Sequence, residues 1–194
     1  MAIDTGLAID CTDLQATGGI KQILLRSWAA GDTIVYGSST HTITSIKDTG
    51  GTDADWGVYE FKNETPALTI NATKENGSTA FECGLSFTLP RMEVAKFNAI
   101  QDMLNACLMI IAVDTNDNAF VLGVSEKYRN ESVAERSQTF GQFASAEGGS
   151  GAAYSDENGV TISLMARQFE MPREYAPSAT GIVVAADGLT ATTD

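Results

Sequence analysis

A chain of 194 residues, 43% of them hydrophobic, is long enough to bury a core and fits a single domain spanning 1–194. Twelve Lys and Arg against 25 Asp and Glu give a net charge of −13, which argues against a grip on phosphate backbones, since that needs clustered cations. No run approaches the roughly 18 apolar residues that cross a bilayer, and MAIDTGLAID lacks a basic, hydrophobic export signature, so the expectation is a protein made in the cytoplasm with no membrane segment.

In chain order, residues 1–19 show no period and end in Gly18 and Gly19, which reads as an N-terminal arm. IKQILLRSW (20–28) is a first strand, Gly31 and Asp32 mark a turn, and TIVY and HTITSI are short β-prone runs. KDTGGTDADWG (47–57), with three glycines and three aspartates, reads as a polar contact loop with Trp56 exposed on it. VYEFKN and ALTINATKE then resume strand alternation.

TAFECGLSFTL (79–89) alternates Phe81, Cys83, Leu85, Phe87 and Leu89 with Glu82, Gly84, Ser86 and Thr88, the period of a strand with one buried face. Pro90 has no N–H to donate, so it predicts the end of that ladder and the first turn of a helix over about 90–106. In that helix Phe97, Ile100, Met103, Leu104 and Cys107 share one apolar face, and Glu93 lies in the first turn. CLMIIAVD (107–114) is a strand covered on both faces, and TNDN turns it back into AFVLGVSEKY.

Residues 129–158, rich in Gly, Ser, Ala and Glu, read either as a long surface loop or as a segment ordered by a neighbouring subunit. DENG (156–159) is a turn that launches VTISLMARQFE (160–170). Pro172 and Pro177 break the strand pattern beyond it, TGIVVAAD is a last apolar β segment, and 172–194 reads as a C-terminal arm. The expected fold is mainly β, an antiparallel sandwich or half-barrel of about ten strands flanked by one helix.

Chemistry is sparse. His41 is the single histidine and lies on a Thr/Ile strand without a nucleophile or a second metal-ligating histidine. Asp114, Asn116 and Asn118 imitate the start of a calcium loop, but Ala119 and Ser125 stand where that loop needs glycine and glutamate. Cys11, Cys83 and Cys107 form neither a disulfide frame nor a zinc site. No cofactor, metal or catalytic residue is expected, and the chain reads as a non-enzyme.

The succession of features resembles that of bacteriophage tail tube (major tail) proteins over about residues 18–175. It is carried by an arm ending in GGIKQILL, by FECGLSFTLP running into MEVAKFNAIQDML, by LMIIAVDTNDNAFVLG, and by SDENGVTISLMARQFEMP. The resemblance implies a sandwich or half-barrel subunit closing into a hexameric ring, with sheets of six copies joined around a bore. Rings stack into a tube, a structural virion component made in the host cytoplasm, and the fold is shared with type VI secretion tube proteins. The implied partners are further copies of the chain and the terminator, tape measure and baseplate proteins, while genome DNA passes without specific binding. On that reading the acidic balance predicts a bore that repels DNA, and the helix lies on the outside. The expected subunit or ring–ring contacts are Ile3 and Leu7 of the arm, Asp48, Asp53, Asp55 and Trp56 of the loop, and Tyr175, Ile182 and Val184 of the tail. Other tail or head–tail components, a secretion-tube protein and a carbohydrate-binding β-sandwich are the rival readings.

Overall fold

LMIIAVD forms a strand whose side chains alternate between two separate cores, and the rest of the fold is arranged on either side of it. The computed structural model describes residues 18–38, 41–62, 64–126, 139–153, 156, 158–177, 181–186 and 190–193, with Glu75 in its backbone alone. Among the described residues there are thirteen strands and one helix. The strands are β1 (Ile20–Ser27), β2 (Thr33–Tyr36), β3 (Thr42–Lys47), β4 (Ala54–Tyr59), β5 (Ala67–Glu75) and β6 (Ser78–Pro90). After helix α1 (Val94–Met103) come β7 (Leu108–Asp114), β8 (Ala119–Leu122), β9 (Gly141–Gly149) and β10 (Gly159–Gln168). The chain closes with β11 (Arg173–Tyr175), β12 (Val183–Val184) and β13 (Thr190–Thr193).

The strands join into one curled, open half-barrel sheet. One run is β12-β13-β4-β1-β7-β8-β11-β3-β2, and a second, β9-β10-β6-β5, meets it where Leu108 of β7 pairs with Gly141 of β9. Every pairing is antiparallel except β11 with β3. The mainly β, half-barrel expectation with a single helix therefore holds.

β7 is the shared wall. Leu108, Ile110 and Ala112 enter a first core with Ile23 and Leu25 of β1 and Leu122 of β8. Facing them are Cys83, Leu85, Phe87 and Leu89 of β6 and Val160, Ile162, Leu164 and Ala166 of β10. Met109, Ile111 and Val113 point into a second core with Leu24, Ile43, Ile46, Trp56 and Tyr175. An unbroken apolar strand is what burial on both faces requires.

Two glycine positions fix the turns that matter. Asn76 and Gly77, at φ 49° and 83°, form the two-residue β5–β6 hairpin loop, a conformation that matches strand twist and that Asn-Gly adopts readily. Gly123, at φ 83°, lies where β8 passes the β7–β9 junction; a Cβ there would come within 2.6 Å of Gly141 N and 2.7 Å of Leu108 O.

Several boundaries differ from the sequence reading. β6 runs through Pro90, and α1 starts at Val94 rather than at the proline, with Glu93 as an extended N-cap residue. The helix buries Met103, with Ile100 packed in part, while Phe97 and Leu104 are 43% and 44% exposed. At about 100° per residue these two sit on the flank of the stripe, where the sheet does not reach them. The 47–57 segment is a loop only as far as Asp53, because Ala54 and Trp56 are buried in β4. Part of the 129–158 excursion is strand β9, paired with β10 along its length, while 129–138 and residues 154, 155 and 157 lie outside the described residues. The described parts of the expected C-terminal arm fold back onto the chain's own sheet as β11, β12 and β13.

Candidate interaction surface

Among the described residues, the strand order leaves two long edges open. β5 pairs with β6 alone, and β9 pairs with β10 and touches β7 at a single position. Both are nine residues long and lie at opposite sides of one four-stranded run. The other two edges, β2 and β12, are four and two residues long. Since β9, β10, β6 and β5 alternate in direction, β9 and β5 run oppositely. A β9 from a second copy in the same orientation would add to β5 as a further antiparallel strand. From Ala144 to Gly149, β9 is exposed on both faces, so its ladder with β10 is what holds that half.

One face of this run fills the first core. The other carries Thr69, Asn71 and Thr73 of β5, Glu82, Gly84, Ser86 and Thr88 of β6, Thr161, Ser163, Met165 and Arg167 of β10, and Ser145 and Glu147 of β9. Thr88 and Thr161 hydroxyls meet across the β6–β10 ladder at 2.9 Å, and Thr69 Oγ1 donates to Gly84 O. Arg167 and Glu82 are direct cross-strand partners joined by an ion pair. Hydroxyl and amide groups predominate, and the charged groups named sum to −1.

The expected contact residues scatter. Asp48 caps its own loop: the Thr52 hydroxyl, helped by the Thr52 and Gly50 backbone N–H groups, holds its carboxyl below the ordinary range against the opposing desolvation. Asp53 pairs with Lys47 at 2.5 Å. Asp55 is exposed on β4, and its carbonyl accepts from Arg26 Nη1 at 3.0 Å. Trp56, 2% exposed, and Tyr175, 5% exposed, belong to the second core and leave almost nothing for a neighbour to touch. Ile182 packs in part on that core. Val184 is 41% exposed on β12. Ile3 and Leu7 lie outside the described residues.

Groups that could carry chemistry have structural partners. The Asp114 carboxylate accepts from the backbone N–H groups of Asn116 and Asn118 at 2.8 and 2.7 Å and from both side-chain amides, which closes the β7–β8 turn. His41 Nε2 lies 2.8 Å from Met171 O. Arg173, 7% exposed, bonds Glu126 and Glu170 through Nη2 at 2.6 and 2.9 Å and stacks over Tyr36 at 5.1 Å. A groove beside α1, lined by Leu25, Tyr59, Asp102 and Met103, offers a phenol and a carboxylate. Burial, and secondarily Asp102, pushes the Tyr59 hydroxyl up from its ordinary value. Among the described residues no group of three or more His, Cys, Asp and Glu could hold a metal ion, and no helix is long and apolar enough to cross a membrane.

No protein-family model, no curated protein and no solved structure matches this chain. Sequence reasoning missed the open edges because no residue type marks them: β9 is GQFASAEGG, whose small side chains carry no apolar alternation.

Proposed function

We propose that the protein is a structural subunit that closes into a ring by pairing β5 of one copy with β9 of the next, and that rings stack into a tail-tube-like conduit for a nucleic acid. The observation that carries this is the pair of nine-residue open edges at opposite sides of one four-stranded run. Long unpaired edges template strand addition, and two different edges in contact make a head-to-tail interface, which closes rings.

Four strands from each of six copies, the number the tail-tube resemblance implies, make 24 in all. Spaced about 4.8 Å apart and tilted by about 40°, they enclose a circle roughly 40–50 Å across at the backbone. That leaves room for a duplex after side chains are subtracted. The hydroxyl-lined face is the natural bore surface, because its opposite face is committed to the first core.

The test is electron microscopy and sedimentation of the concentrated protein, with Thr69→Pro and Ile70→Pro made separately in β5. Backbone N–H groups alternate across a strand, so one proline removes a bond to β6 and the other an N–H that faces outward. The wild type is expected to form rings or tubes. The variant that keeps wild-type melting is expected to stay monomeric, and ring formation by that variant overturns the reading. Rings that never stack would point to a terminator or hub instead.

A further inference from the structure

On the proposed bore face Arg167 is the one cationic side chain among the described residues, and Glu82 lies directly opposite it across the β6–β10 ladder. The guanidinium Nη2 meets the Glu82 carboxylate, with the two side chains 65% and 40% exposed. An ion pair this open to water contributes little to folding. The adjacent positions on the same face are Asn71, Gly84 and the exposed Met165, so burial does not explain why a charged pair interrupts the hydroxyl surface.

Resting on the ring reading above, we infer that Glu82 masks Arg167 against a passing nucleic-acid duplex. A free guanidinium is a strong, bidentate ligand for phosphate. One such group per subunit, repeated around a ring, would engage many phosphates at once and hold the duplex by avidity. With Glu82 occupying the guanidinium, the face offers a polyanion hydroxyls and amides but no unpaired cation. Passage then depends on the absence of grip rather than on strong repulsion.

The experiment is co-sedimentation of assembled protein with a short fluorescent duplex at about 50 mM and about 200 mM salt, where phosphate contacts differ strongly in affinity. Wild-type assemblies are expected to leave the duplex in the supernatant. Glu82→Gln assemblies are expected to retain at least about tenfold more at the lower salt and to release it at the higher. The double variant Glu82→Gln, Arg167→Gln should return to the wild-type level, which separates the freed guanidinium from adventitious binding elsewhere. Glu82→Gln assemblies that pellet without duplex overturn the inference and leave the ring reading intact, as do double-variant assemblies that still retain it. Wild-type protein that never pellets overturns both.

Discussion

Trp56 Nε1 donates a hydrogen bond to Thr193 Oγ1 at 2.9 Å, joining residues 137 positions apart in the interior of the second core. Thr193 Oγ1 in turn lies 3.4 Å from Ile46 O, and β13 pairs with β4 from Thr190 to Thr193. Strand β13 therefore packs onto the chain's own sheet beside β4. Replacing Thr193 by Val keeps the shape and leaves the indole N–H without its buried acceptor, which costs about 1–3 kcal/mol. The denaturation midpoint of Thr193→Val should fall accordingly, and that of Thr190→Val, at an exposed position of β13, should stay within about 0.5 kcal/mol of the wild type.

The 47–57 segment separates into a removable tip and a strand that the core needs. Lys47 and Asp53 form a backbone bridge beneath the tip, while Ala54 is fully buried and begins the β4 ladder with β13. Deleting 49–52 should leave a cooperatively melting chain. Deleting 49–55 removes the start of β4 and should give protein that is insoluble or lacks a thermal transition. Circular dichroism melts of the two deletions decide this, and equal melts would show that β4 is dispensable.

The parts of the fold legible in sequence are those where one side-chain pattern dictates the outcome. Cys83, Leu85, Phe87 and Leu89 repeat every second residue, and Leu108 to Val113 are apolar without a break; both strands are as expected. Asp114, Asn116 and Asn118 make the turn that their side chains favour. The failures lie where the partner, not the segment, decides. β9 contributes small residues and takes its conformation from the β10 ladder. Trp56 follows three aspartates and two glycines, which mask a site for an indole in the second core. α1 has helical spacing, but the sheet beneath reaches only Met103 and part of Ile100. The candidate surface was the least legible, because being at an edge is a property of strand order and strand order is not local.

Acid should weaken this fold in a definite window. Partial desolvation pushes the Asp114 carboxyl up, but the hydrogen bonds from Asn118 and Asn116 outweigh it and hold the group below its ordinary value. For Glu170, burial likewise pushes upward and is outweighed by Arg173 and the Glu126 backbone N–H. A carboxyl depressed in the folded state binds its proton more readily when unfolded. Its contribution is thus complete above the unfolded value, near pH 4, and is lost as pH falls through the folded one. Stability should be flat from about pH 7 to 5 and drop below about pH 4. Asp114→Asn should flatten part of that drop, whereas an unchanged acid slope would remove Asp114 as a contributor.

The exposed apolar residue at the C-cap of α1 offers a test of how the helix is held. Leu104 is 44% exposed at the C-cap, whereas Met103 beside it is 3% exposed and belongs to the first core. Leu104→Asp places its charge in water, although a carboxylate at the negative end of the helix dipole is unfavourable by about 0.3–1 kcal/mol. Met103→Asp buries an unpaired carboxylate among Leu25, Leu108 and their neighbours, and a buried charge without a partner is worth several kcal/mol, enough to unfold a domain of ordinary stability. The Leu104 variant should therefore melt within a few degrees of the wild type and the Met103 variant should not fold. Expression, solubility and a single thermal scan of each variant separate the outcomes. A Leu104→Asp chain that fails to fold would mean that this flank of the helix is covered within the chain after all.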